Sequence, residues 1–276
     1  MGGARAQARA LLKPKAGDSI DFLRDDSGSL AMHTEKAYWL PAHVRACSTA
    51  TGTVLLDLQR NRYFGVGRNE TIALRSLAGN WHSLAAAPAS FASDAEPLPV
   101  QEAVNIADKL VQAGLLSNSA PEPAAFTIAQ VDLQSLLTSV GHEVDRKSAI
   151  RWRHIMNFLR ACTWARRSVR SRTLFLVAEE VGRQKNLAGA PFDNERAIEL
   201  VGIFRRLRPH TFAARDQCLF HALALVRFLA CYDVYPTWVI GVRTKPWAAH
   251  SWVQQGTLLL DANPEQVCEY TPILAI

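Results

Sequence analysis

The stretch DQCLFHALALVRFLACYDVYPTWVIGVRTKPWAAHSWVQQGTLLLDA, residues 216–262, decides how the chain is read. Asp216 is a good helix N-cap, Gln217 and Cys218 open the first turn, and LFHALALVRFLACY supplies a long apolar face. The spacing predicts a helix over 217–231. Three β-rich runs follow, at 236–242, 250–254 and 257–261, so the helix leads into an antiparallel sheet. The first-turn N–H groups of a helix and the positive end of its macrodipole stabilise a thiolate. Cys218 is therefore a candidate nucleophile, although free cysteines are also common as small core residues.

The last two strands offer partners for that sulfur. With Gln255–Gly256 as a two-residue turn, Gln254 faces Thr257, Trp252 faces Leu259 and His250 faces Asp261. Directly opposed side chains have Cβ atoms about 4.5–5.5 Å apart, close enough for a carboxylate to orient an imidazole. The expected triad is Cys218 as nucleophile, His250 as base and Asp261 as its orienter. The Cys218 backbone N–H and a second donor, for which Gln217 is the candidate, would hold the oxyanion. His221 is a rival base one turn from Cys218; with nothing adjacent to orient it, it reads as a packing or surface residue.

Upstream, the runs 44–48, 53–58 and 62–66, separated by Thr51, Gly52 and Asn61, predict a three-stranded antiparallel sheet. A short helix begins at the N-cap Asn69 and ends at Gly79–Asn80. A Pro/Ala/Ser stretch spans 83–99, and an amphipathic helix then covers 100–115, with Gly114 as its C-terminal cap. The second Pro/Ser/Ala break, SNSAPEPAA at 117–125, marks a domain boundary. Beyond it, helices are expected at 128–140, 149–167, 174–185 and 194–206, the last closed by Pro209. The expected organisation is an extended or disordered 1–35, a first domain at 36–118, a linker at 119–126 and a second domain at 127–276. The fold class is α+β.

Across 276 residues the hydrophobic fraction is 49%, which describes a globular chain rather than a disordered one. The longest apolar stretch falls short of a membrane span, and the N-terminus lacks the apolar core of a secretory signal, so a cytoplasmic location is expected. The five cysteines, Cys47, Cys162, Cys218, Cys231 and Cys268, form no C-x-x-C pair and have no His at zinc-like spacing. No metal and no cofactor are expected. The net charge of +6 is concentrated in 151–172, which holds seven arginines and no acid, with Arg205, Arg206 and Arg208 as a second cluster. Such a face suits an acidic partner, and equally a solvated helix surface.

The combination CLFHALALVRFL, WVIGV, KPWAAHSWV and then Asp261 resembles the leader peptidase of lasso peptide biosynthesis, of the microcin J25 maturation type. The resemblance implies a transglutaminase-like, papain-like cysteine protease domain acting without cofactor. Ser251 stands where Ala is expected, and Gln254 where Glu is usual. The line VLLDLQRNRYFGV, followed by helices, is similar to the winged-helix leader-recognition element related to the peptide chaperone of pyrroloquinoline quinone biosynthesis, a PqqD-like domain. In that fold the leader adds as a strand beside the third strand, here 62–66, and rests against the last helix, here 100–115. Tyr63, Phe64, Leu110 and Val111 are the expected pocket walls, positions equally suited to the core of a small domain. The resemblance implies as partners the leader of a ribosomally made precursor and an ATP-dependent, asparagine-synthetase-like cyclase; the chain itself has no Gly-rich phosphate loop, so any ATP dependence would come from that partner. Two other readings remain: an acyltransferase or transglutaminase using the same triad, and a non-catalytic winged-helix nucleic-acid binder. Against the second, the 100–115 helix carries Glu102 and Asp108 beside a lone Lys109.

Overall fold

The computed structural model describes residues 38–79, 81, 98–121, 131, 138–139, 149–187, 193–208 and 218–276. The expected N-terminal extension, most of the 83–99 stretch, Asp216, Gln217 and Pro209 lie outside the described residues. So does most of the helix expected at 128–140; within it, Thr138–Ser139 form a strand instead of a helical end.

The N-terminal strands are β1 (Val44–Thr49), β2 (Gly52–Asp57) and β3 (Arg62–Gly67), an antiparallel meander in the order β1-β2-β3. Helices α1 (Arg68–Leu77) and α2 (Val100–Gln112) follow. Gly52 has φ +145°, and a Cβ there would sit 2.1 Å from the Val66 carbonyl oxygen, so the β1–β2 turn needs glycine. Gly114 ends the α2 region with φ +74°, as its position predicts.

Neither face of this sheet is left to water. Val44, Ala46, Leu55 and Val66 point to one side and pack with Leu74 of α1 and Leu110 of α2. Cys47, Val54, Leu56 and Leu58 point to the other and join the core formed by the C-terminal helices. Period-2 alternation therefore places β2 between two hydrophobic layers, so the two expected domains share one core.

The C-terminal part supplies β4 (Thr138–Ser139), α3 (Trp152–Ser171), α4 (Leu174–Leu187) and α5 (Asn194–Leu207). After these come α6 (Cys218–Ala230), β5 (Thr237–Thr244), β6 (Trp247–Gln255), β7 (Leu258–Leu259), the short α7 (Pro264–Val267) and β8 (Thr271–Ala275). The sheet order is β4-β7-β6-β5-β8. Only β4–β7 is parallel; the other pairs are antiparallel. The sequence reading missed α7 and β8, and β8 closes the sheet beside β5.

Polar contacts reinforce the shared core. Asn61, at φ +56° in the β2–β3 turn, accepts the Leu174 N–H through Oδ1 at 2.7 Å, and the Leu58 carbonyl accepts the Phe175 N–H at 2.9 Å. The first two N–H groups of α4, which have no partner within their own helix, are thus capped by the N-terminal sheet. Leu56 is fully buried between the units. Leu56→Ala is expected to cost about 2–5 kcal/mol through the cavity it leaves. Hydrogen exchange in urea should show the β2 and α6 amides losing protection at the same lowered midpoint. Loss confined to the β2 amides would mean that the units unfold separately.

Candidate active site

Helix α6 is buried almost all round: of its residues from Leu219 to Leu229, only Arg227 is not. Such a helix is held rigidly, and its first residue, the half-buried Cys218, is held with it. The backbone N–H groups of Ser251, Leu219 and Cys218 itself act on the Cys218 sulfur and pull its pKa down. These favour the thiolate, as a helix N-terminus should. Burial is the larger effect and, with the Asp261 charge, raises the thiol above its ordinary value. The resting cysteine is accordingly a thiol that needs a base.

The β6–β7 hairpin differs from its sequence expectation. Gln255 pairs with Leu258 and Gln254 with Leu259, so the turn residues are Gly256–Thr257 rather than Gln255–Gly256. Gly256 takes φ +55° at the first central position, where a primed turn requires positive φ. The expected turn would have forced Gln255 into that strained region. Gln254 braces the observed turn, accepting the Trp252 indole N–H at 2.6 Å and donating to the Gly256 carbonyl at 2.7 Å.

The shift is two residues, so His250 and Asp261 are not direct cross-strand partners. Past Leu259 the ladder gives way to side-chain pairing. Leu260 N–H bonds to the Val253 carbonyl at 2.9 Å, and the Asp261 carboxyl accepts the Val253 N–H at 2.7 Å. Arg205 of α5 donates to the Leu260 carbonyl at 3.0 Å, and its charge and that of Arg208 act on Asp261. The arginine cluster noted in the sequence therefore borders the acid. Nothing in local spacing could have paired it with Asp261.

Cys218 and Asp261 thus share one edge of β6, which among the described residues pairs with β7 only at Gln254 and Gln255, the N–H of Ser251 acting on the first and that of Val253 bonding the second. Those two amides are about 7 Å apart along a strand. His250, which immediately precedes Ser251, directs its ring elsewhere. Ala249 and Val253 face α6 and the main core, whereas His250 and Trp252 face the opposite side. There the imidazole stacks on Trp252, with centroids 6.0 Å apart and planes at 19°, and lies 5.3 Å from the Tyr270 ring. Burial lowers its pKa, favouring the neutral form that can accept a proton. The main chain of His250 nevertheless adjoins the Ser251 amide that acts on the sulfur. His221 is buried rather than at the surface, and desolvation together with Arg208 lowers its pKa to about 4.

Ser251 also explains one departure from the expected pattern. Its hydroxyl accepts the Trp238 indole N–H at 2.8 Å and donates to the Val239 carbonyl at 3.2 Å, which fixes β6 against β5 where the sulfur docks. Of the four expected leader-pocket residues, Phe64, Leu110 and Val111 pack together in the N-terminal layer, whereas Tyr63 faces the C-terminal core. A small cavity of about 10 Å³ is lined by Tyr63, Leu174, Leu219, Ile240, Ala249, His250 and Ser251, of which Leu219 follows Cys218 in the chain. Among the described residues no cluster of three or more His, Cys, Asp or Glu could hold a metal ion. Nor is any described helix long and apolar enough to cross a membrane.

Desolvation raises the Asp261 carboxyl to about 7, against the opposing effects of the Val253 amide and the two arginines. Its folded pKa lies above its unfolded value. The resulting stabilisation is complete below about pH 4 and is lost as pH rises towards 7. Relative to Asp261→Asn, which keeps an oxygen for the Val253 N–H, the wild type should lose on the order of 2–3 kcal/mol between pH 4.5 and 7.5. Urea midpoints of both proteins across that range measure the difference. Parallel curves would show that the acid is ionised throughout.

Neither a curated protein nor a solved structure significantly matches the chain. The family model described as the transglutaminase-like superfamily matches residues 156–275, from within α3 to the end of β8, and so includes Cys218, His250 and Asp261. Members of that superfamily are in general cysteine proteases or transglutaminases, enzymes that pass an acyl group through a thiol. Residues 156–275 of this chain form a transglutaminase-like superfamily domain.

Proposed function

We propose that this chain is a cysteine peptidase that removes the leader from a ribosomally made precursor, in the manner of the lasso peptide leader peptidases. The N-terminal unit would grip the leader and the C-terminal unit would cut it. The observation carrying this reading is Cys218 in the first turn of a rigid helix, its sulfur on the amide that follows His250 and its edge of β6 shared with Asp261. The N-terminal unit suits the gripping role because β3 is the terminal strand of its sheet, where an extended peptide can add by main-chain pairing. Holding the leader there raises the local concentration of the scissile bond at the thiol, so the cavity itself can be small.

Catalysis in this reading begins when the His250 ring turns about Cα–Cβ, off Trp252 and over the open edge of β6 towards the sulfur. The neutral imidazole takes the thiol proton, and the thiolate adds to the peptide carbonyl. First-turn N–H groups of α6 stabilise the oxyanion. The tetrahedral intermediate collapses to a thioester as His250 returns the proton to the departing core amine. Water, deprotonated by the same ring, then releases the leader as a carboxylate and regenerates the thiol. Asp261 on the shared edge holds the imidazolium while charge is present. The ATP-dependent closure of the core belongs to a partner cyclase, for which the arginine-rich α3 is the proposed docking face.

The test uses as substrate the short precursor that this reading expects in a neighbouring reading frame. Mass spectrometry should find a free core amine and a leader carboxylate with the wild type, and neither product with Cys218→Ala. His250→Ala should lower turnover by at least about 100-fold, the scale of a lost general base. His221→Ala should retain most of it. Cleavage that survives Cys218→Ala would remove the proposal, and a new amide in place of the leader carboxylate would convert it to acyl transfer.

A further inference from the structure

Tyr63 belongs to β3 of the N-terminal sheet, yet its ring stands in the C-terminal site. It packs edge-on against Trp247 at the start of β6, with centroids 5.4 Å apart and planes at 70°. It also forms one wall of the cavity whose other walls include Leu219, next to Cys218, Ala249 and Ser251, whose amide holds the sulfur. Burial raises the phenol's pKa, and the Cys218 charge adds to that effect, as expected of neighbours in a poorly hydrated space. At about 10 Å³ the cavity is no larger than a single water requires.

A thiolate attacks from about 3–3.5 Å, so the substrate side chain adjoining the attacked carbonyl must lie within a few ångströms of Cys218. The cavity borders that position on the α6 side of β6. Leu219, Ile240 and Leu174 are buried core residues of the C-terminal unit. Tyr63 is partly buried, packed on the main core and edge-on against Trp247. It is the largest side chain among the seven walls and the one that the N-terminal sheet contributes, so its size decides what fits.

We infer that Tyr63 is a specificity-determining residue of the cleavage site, limiting the subsite next to the attacked carbonyl to small side chains. This rests on the peptidase reading for its substrate, although the subsite can be measured without hydrolysis. A consequence is that the same strand serves both tasks: its outer edge is the place for the leader, while Tyr63 on its inner face reads the residue being cut.

Acetyl-alanyl, acetyl-leucyl and acetyl-phenylalanyl chloromethyl ketones provide the probe. In each, the Cys218 thiolate forms a C–S bond and displaces chloride, and peptide mapping of the full chain locates and counts the adduct. The wild type should react with the alanyl reagent at least about tenfold faster than with the phenylalanyl one, the discrimination a filled apolar pocket provides. Tyr63→Ala should bring the two rates within about threefold, and Tyr63→Phe should keep the wild-type ratio, because the ring rather than the hydroxyl sets the size. Iodoacetamide, which carries no side chain, gives the intrinsic reactivity of Cys218 in each protein, and every ratio is read after division by that rate.

An unchanged alanyl-to-phenylalanyl ratio in Tyr63→Ala overturns the inference. If that variant fails to fold, Ala249→Val, which narrows the cavity from the opposite wall, should steepen the ratio, and an unaltered ratio there overturns it equally. Side-chain selectivity that depends on Tyr63 in a chain that leaves its precursor uncut would retain the subsite and reject only the peptidase reading.

Discussion

The structure depends on the near-complete burial of α6. A helix that is apolar on all sides has to be enclosed on all sides, and here α3, α5 and the sheet of β5 and β6 enclose it. Its first residue is the cysteine, so the packing that stabilises the domain also fixes where the sulfur can be. The surrounding features answer to that position. Ser251 presents its amide to the sulfur because its hydroxyl is tied to Trp238 and Val239, and Asp261 reaches the same strand edge because β7 stops after two residues.

Enclosing the helix has an electrostatic cost. Removing water raises the thiol and the carboxyl and lowers the imidazole, so all three groups favour their uncharged forms at rest. Stacked on Trp252 and Tyr270, the His250 ring completes a resting state in which no ion pair has formed.

Much of this was legible in the sequence, and the losses have identifiable causes. The strands at 44–49, 52–57 and 62–67 were found within a residue or two because glycine and asparagine punctuate them. The start of α6 was found because polar residues give way there to an unbroken apolar run. The hairpin register was misplaced by two residues because glycine was put second in the turn, although positive φ is needed first. The direction of His250 was not readable at all. Both faces of β6 are covered, by Val253 on one side and Trp252 on the other, so the usual apolar–polar alternation carries no sign. The family match confirms the C-terminal domain at the level of its superfamily, while the leader-binding role of the N-terminal unit comes from resemblance alone.

The capping of α4 by Asn61 and Leu58 bears on how such a protein could be divided. Severing the backbone near residue 120 would not yield two independent molecules. One product would carry Val54, Leu56 and Leu58 as an uncovered greasy plane, and the other would begin α4 with bare amide donors. Two separately translated halves would be compelled to find each other again, and the affinity of that reunion would be inherited from contacts that here belong to the interior.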